Sequence, residues 1–232
     1  MDYSSIYYEF TNPIYCKFIK REKRFFSYFF YNNQIIIAHC VNTGKMTGLL
    51  IEGSECILST KTTGRLLYTW EAIKIENIWI GVNTFTPNKL VDLLLKNKKI
   101  PHLEHQEFQK ERLIKSLKYK PDFSHPHTII EVKNVHLVEN HIAYFPDCIT
   151  ERGSRQMEAL KQLQQTGKRC LVIYILQRND SEYLTVHPHI DPIYFIKSKE
   201  AAHEGVEFLA FNCLITPTHI RINKAITYKN QI

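Results

Sequence analysis

The chain has few residues that break regular structure and no long apolar run. Eight glycines and nine prolines in 232 residues exclude a collagen-like repeat or a low-complexity linker protein. No apolar stretch approaches the roughly 20 residues that a bilayer span requires. The start, Met1-Asp2-Tyr3-Ser4-Ser5, lacks a basic segment leading into an apolar core, so no secretory leader is read there. A cytoplasmic protein without membrane attachment is the expectation. Six cysteines (Cys16, Cys40, Cys56, Cys148, Cys170 and Cys213) are scattered with no Cys-x-x-Cys pair. That argues against a zinc ribbon or a disulfide framework and for reduced core thiols. The pairs His125-Pro126-His127 and His187-Pro188-His189 have a metal-like spacing, but proline between the rings restricts their convergence and no cysteine completes a tetrahedral set.

Hydrophobic residues at 44% and aromatics at 12% are enough for a globular core. Acidic residues are in deficit, 23 against 30 Lys and Arg, for a net charge of +7. The excess favours polyanionic partners as a weak tendency. It concentrates in Lys17, Lys20, Arg21, Lys23 and Arg24, a stretch that could face phosphates or simply be solvated surface. Phe18, Phe25 and Phe26 alternate with these charges as rings in a base-stacking groove would, and as core strand residues also do.

Up to about residue 85 the pattern is short β-branched or aromatic runs separated by turns. Ile14–Ile19, Phe25–Tyr31, Gln34–Ala38, Glu55–Ser59, Leu66–Ile75 and Trp79–Val82 read as strands, with Asn32-Asn33 as a hairpin turn. Five or so short strands suggest a small barrel, the oligonucleotide-binding (OB) type being one candidate. Helical spacing of Leu90, Leu93 and Leu94 predicts a helix over Asn88–Asn97. Strands at Thr128–Val132, Arg169–Leu176 and Val206–Phe211 then alternate with helices over Gly153–Thr166 and near Ile193–Glu204, an order that predicts a mixed α/β domain. The expected division is a barrel over 1–85 and an α/β domain over 86–232. Trp70 and Trp79 read as core residues.

Pro121-Asp122-Phe123, a turn through His125-Pro126-His127, and Thr128-Ile129-Ile130-Glu131-Val132-Lys133 form a hairpin signature. Side chains alternate along a strand, so Glu131 and Lys133 share one face, which an Asp from the neighbouring strand can join. Two converging carboxylates suit Mg2+ or Mn2+, and a lysine beside them can orient an attacking water and offset charge on a phosphodiester. Taken alone, the spacing describes an ordinary strand ion pair as well. Asn42-Thr43-Gly44 is open in the same way, as a loop that meets phosphate or as a tight structural turn.

Longer segments carry a resemblance. Asp-x8-Glu-x-Lys is similar to the motif of the PD-(D/E)XK nuclease superfamily. His39-Cys40-Val41-Asn42-Thr43-Gly44-Lys45-Met46-Thr47-Gly48, Tyr68-Thr69-Trp70-Glu71, Val82-Asn83-Thr84, Ile130-Glu131-Val132-Lys133, and Tyr144-Phe145-Pro146-Asp147-Cys148-Ile149-Thr150-Glu151-Arg152-Gly153 resemble the sugar fermentation stimulation protein A family, in order and across nearly the whole chain. That resemblance implies an OB-type barrel joined to a nuclease-like α/β domain, and DNA or a related nucleic acid as partner. It implies Asp122 and Glu131 as metal-binding acids, Lys133 as catalytic lysine and Glu111 as an upstream acid. Asp147, Thr150 and Gln156 are placed close around that pocket, and Arg152, Arg155, Asn42 and Thr43 join the basic stretch as nucleic-acid contacts. The chain departs from the family in having Tyr119-Lys120 before Pro121, where Ser-Arg is common, and Arg155-Gln156, where Lys-His is common. A Mg2+-dependent nuclease is the reading that follows. The alternatives are a non-catalytic DNA-binding regulator of sugar (maltose) catabolism and an enzyme of a small phosphorylated metabolite. A homodimer is left open.

Overall fold

The computed structural model describes residues 1–229, so the last three positions of the expected second domain lie outside the described residues. The first unit is a closed barrel. Its strands are β2 (Ile14–Glu22), β3 (Phe26–Tyr31), β4 (Gln34–His39), β5 (Glu55–Thr60), β6 (Tyr68–Ile75) and β7 (Ile78–Gly81), following a short β1 (Tyr7–Glu9). They run in the order β4-β3-β2-β5-β6-β7, and a parallel β4–β6 pairing closes the barrel in the OB pattern. Asn32 and Asn33, both with positive φ (48° and 61°), make the β3–β4 turn, because asparagine tolerates the left-handed region a two-residue hairpin demands. Phe18, Phe29 and Trp70 fill the barrel, with the Phe18 and Trp70 rings stacked at 5.0 Å.

The second unit begins at α1 (Thr86–Lys96) and continues through β8 (Gln109–Lys110), β9 (Phe123–Ser124), β10 (Thr128–Val135), β11 (Leu137–Glu139), β12 (Ile142–Phe145), α2 (Glu151–Gln165), β13 (Arg169–Leu176), β14 (Tyr183–Val186), α3 (Pro192–His203), β15 (Glu207–Ile215) and β16 (His219–Lys229). Its mixed sheet is ordered β11-β12-β14-β16-β15-β13-β10-β9-β8, with β10, β13 and β15 parallel at its centre. These central strands are buried on both faces, which is why they read as apolar runs. One face packs against α2 and α3 through Met157, Leu160 and Tyr194. The other carries α1 and merges with barrel residues Ile57 and Ala72 in one shared core.

The division at residue 85 needs a correction at the N-terminus. β1 pairs antiparallel with β16, and Ile6 and Phe10 sit in the core shared with the α/β unit, so the first residues belong to the second sheet. The two units are also joined by Gln177. Its Nε2 donates to Asn83 O (3.0 Å) and Asn134 Oδ1 (2.7 Å), and its backbone oxygen accepts from Gly81 N (2.8 Å). A Cβ on Gly81 would lie 2.4 Å from Gln177 Oε1 and 2.9 Å from its Cβ, so glycine is what lets the barrel end approach so closely.

A carboxylate and lysine cleft between the barrel and the sheet

β9 and β10 form the expected hairpin. His125 N donates to Thr128 O and Thr128 N to His125 O, leaving Pro126-His127 as the turn, with Ile130 opposite Phe123. This register brings Asp122 beside the middle of β10, where the Val132 amide donates to Asp122 Oδ2 at 2.7 Å. Asn88, in the first turn of α1, donates through Nδ2 to Asp122 Oδ1 at 2.7 Å. Glu131 and Lys133 leave β10 on one face and are 2% and 7% exposed. Lys133 Nζ donates to Glu131 Oε1 at 3.0 Å and also to Gln156 Oε1, while Gln156 Nε2 donates to Glu131 Oε1. Tyr119 OH donates to Glu131 Oε2 at 2.7 Å.

Desolvation pushes the Glu131 carboxyl above its ordinary value; Lys133 and Tyr119 pull it down, while the Asp122 charge pushes it further up. The two acids therefore feel each other's charge inside one cleft of about 350 Å³, which Lys133, Gln156 and Arg152 also line. Each ionised carboxyl offers about four lone-pair sites, so the donors that hold Asp122 and Glu131 leave both with capacity to ligate. A divalent cation fits this donor set because it neutralises two like charges, one buried and one partly buried, that a single lysine does not balance. Among the described residues no three His, Cys, Asp or Glu side chains converge as a ligand cluster. Water would complete the shell, as Mg2+ commonly requires.

α2 supplies the far edge of this cleft. Thr150 caps it, with Oγ1 accepting from Gly153 N at 3.0 Å, and Thr150 N donates to Asp191 Oδ2, the carboxylate that also caps α3. A Cβ at Gly153 would meet Thr150 Cγ2 at 2.8 Å, so the Thr150 to Gly153 signature has a packing cause. Asp147 lies beyond, its Oδ2 3.2 Å from His136 Nε2. Burial raises the Asp147 carboxyl, but His136, Cys148 and its own backbone amide together outweigh burial and the net shift is downward.

Other expected site residues fall elsewhere. Glu111 is exposed, paired with Lys120 at 2.6 Å and held below the usual carboxylate range by that ammonium. It lines an adjoining cleft with Asp122 and does not reach Glu131 or Lys133. Arg155 is exposed, 3.6 Å from Glu151, and is not among the residues that line the cleft. The basic stretch is not one surface. Arg21 turns inward, its Nη1 and Nη2 donating to Asn42 O (3.1 Å) and Gly44 O (2.9 Å), so it braces the 42–46 loop and has few donors left for phosphate. Lys20 pairs with Glu22 at 2.6 Å, Lys17 is exposed on β2, and Lys23 and Arg24 make the β2–β3 turn. Arg24 and Thr43 line a second cleft of about 860 Å³ that shares Asp147 with the first. Asn42 makes the tight turn, its Oδ1 accepting from Gly44 N at 2.8 Å, and also lines the carboxylate cleft. Trp70 is core, whereas Trp79 is only half-buried.

Four contributors were missed in the sequence. Tyr119 and Asn88 position the two acids, and His136 lines their cleft. Phe30 is an exposed ring on the barrel, as is the expected Phe25, whereas Phe18 is buried. Register places Lys17, Phe30 and Ile35 in one outward row and Lys20, Tyr28 and Ile37 in the next. Alternation along Phe26-Ser27-Tyr28-Phe29-Phe30 was the available signal.

An OB-type barrel joined to a mixed α/β unit, with two acids and a lysine at the centre of its sheet, defines a two-part class. The family profile described as the SfsA N-terminal OB domain matches residues 19–82, and that described as the Sugar fermentation stimulation protein RE domain matches residues 85–219. A Sugar fermentation stimulation protein homolog from Syntrophobacter fumaroxidans is 35% identical over 214 residues, 90% of this chain and 82% of the relative. One from Synechococcus sp. is 36% identical over 222 residues, 92% of each chain. The solved structure of Pyrococcus furiosus SfsA in complex with Ca2+ matches with a TM-score of 0.87 at 22% identity, over 96% of this chain and 98% of that one, and shows the shared fold. The chain belongs to the sugar fermentation stimulation protein family. Among the described residues no helix is long and apolar enough to cross a membrane.

Proposed function

We propose that the protein is a nuclease of the PD-(D/E)XK type that hydrolyses phosphodiester bonds with Mg2+ or Mn2+. The observation that carries the reading is the convergence of Asp122, Glu131 and Lys133 in one cleft, with Lys133 Nζ 3.0 Å from Glu131. Asp122 and Glu131 would hold the cation, and Ca2+ in the Pyrococcus furiosus relative is a hard, oxygen-seeking ion of the same class. When bound, such a cation supplies positive charge to the attacking and leaving oxygens. Lys133 is held by Glu131 and Gln156 through two of its three donors, which leaves the third to orient a water toward phosphorus. Tyr119 and Asn88 fix the acids in place before substrate arrives, so little reorganisation accompanies reaction. Arg152, which lines the cleft, would contact a phosphate next to the one attacked.

The barrel supports nucleic acid as the substrate. Its outer rows pair Lys17 and Lys20 with Phe30, Tyr28, Ile35 and Ile37, a mixture suited to backbone charge and base stacking. Arg24 and Lys45 line the cleft that leads past Asp147 to the acids. The test is a divalent-ion cleavage assay on duplex, single-stranded and hybrid substrates. Cleavage in Mg2+ or Mn2+ that Glu131→Gln lowers by about 10²–10³-fold is the expected result. Substrates that all stay intact in both ions remove the catalytic reading.

A further inference from the structure

Part of the carboxylate cleft's lining carries buried polar atoms without a hydrogen-bond partner among the described residues. These are Asn42 Nδ2, both ring nitrogens of His136 and Asp147 Oδ2. Asn42 is 4% exposed and His136 is 6% exposed, and all three residues line the cleft that holds Asp122, Glu131 and Lys133. His136 Nε2 and Asp147 Oδ2 approach to 3.2 Å without hydrogen-bond alignment, so even this pair leaves both groups able to bond outward. Asn42 arrives from the barrel, fixed by its own turn to Gly44 N and by Arg21 on its carbonyl. His136 and Asp147 follow β10 and β12. Buried polar groups of this kind cost free energy until they are paired.

The donor pattern selects the ligand. Asn42 Nδ2 is a donor only, Asp147 is an acceptor when ionised, and His136 supplies one of each in its neutral form. A phosphate offers acceptors alone and would meet the Asp147 charge. A metal ion gains nothing from an amide NH2. A group that donates and accepts at once matches, and a single water with that pattern can stand there in the free protein. We propose that Asn42, His136 and Asp147 form a subsite beside the carboxylate pair for a neutral donor–acceptor group of the bound nucleotide chain, either a ribose 2′-hydroxyl or a base edge. The subsite rests on the reading of nucleic acid as substrate. It gives the barrel a second role, since through Asn42 the barrel discriminates between substrates inside the α/β cleft.

The experiment is fluorescence anisotropy of labelled single strands with the full chain in Ca2+, which reads binding without turnover. RNA is compared with its 2′-fluoro form, and DNA with a set carrying one abasic position each. A preference of about tenfold for RNA over the 2′-fluoro strand assigns the hydroxyl, and an equal loss at one abasic position assigns the base. Asn42→Ser, which keeps an oxygen for the turn, and Asp147→Ala each bring that ratio to about one. His136→Asn is the third variant, so the comparison is read on those that melt with the wild type. A wild-type ratio near one in both sets, or a ratio unchanged in the folded variants, overturns the subsite. Discrimination without cleavage keeps the subsite and loses the nuclease reading; cleavage without discrimination does the reverse.

Discussion

Two parts of the central cleft's lining are built in opposite ways. On the β10 wall, Asp122, Glu131 and Lys133 are each held by at least two donors or acceptors of the chain itself. Elsewhere in the lining, Asn42 and His136 are as deeply buried as Glu131 and Lys133 but keep unpartnered polar atoms. A closed network fixes groups that must be in place before substrate binds, whereas an open one gains its partners from whatever enters. Under the proposed function, the cleft separates positioned chemistry from recognition within a few side chains' distance.

The largest effect comes from breaking the closed wall. Lys133→Ala leaves Glu131 buried without its ammonium and is expected to lower unfolding free energy by about 3–5 kcal/mol, measured by urea denaturation; a loss below 1 kcal/mol would mean the network carries little. Moving the two units apart comes next. Gly81→Ala places a Cβ against Gln177, the residue that ties the barrel to Asn134, with an expected cost of about 1–3 kcal/mol. If the units dock independently of that contact, the variant will melt with the wild type. Thr150→Ala removes the cap that anchors Arg152 at the start of α2, and circular dichroism melts should show a loss of about 1 kcal/mol.

The smallest expected effect lies outside the cleft. Lys197 and Lys161 hold Glu158, at the α2–α3 contact, down from 4.5 to about 2. Its folded value is depressed, so its contribution is present above about pH 4.5 and fades as pH falls toward 2. Glu158 is 34% exposed, so solvent screening keeps the effect below about 1 kcal/mol. Glu158→Gln should lower stability by up to about 1 kcal/mol at neutral pH, flatten the profile over that window and leave stability near pH 2 unchanged.

The barrel strands and the three helices were legible because their alternation and spacing are local. Leu90 and Leu94 mark α1 by helical period, and Asn32-Asn33 marks a hairpin by its own backbone preference. Glu131 and Lys133 share a face for the same reason. β1 and β16 went unread although β16 joins β14 to β15 inside the sheet and carries β1, because their three- and eleven-residue runs mix polar residues with apolar ones and gain their order from pairing. Tyr119 and Asn88 were invisible for a related reason. Nothing near Tyr119 says that a bridge to Ile114 will aim its hydroxyl at Glu131, and Asn88 looks like any residue in a first helical turn. The basic stretch misled in the other direction, since a run of like charges in sequence is divided by strand alternation and a turn into surface, loop brace and hairpin tip.

The central claim is that Asp122 and Glu131 are a pair of cation ligands, and Mn2+ tests it without requiring substrate or turnover. Crystals of the full chain soaked in MnCl2 should give an anomalous peak about 2.2 Å from an oxygen of each carboxylate, and the peak should vanish in Glu131→Gln. Anomalous density found only elsewhere, or none with Mn2+ in excess, would contradict the account.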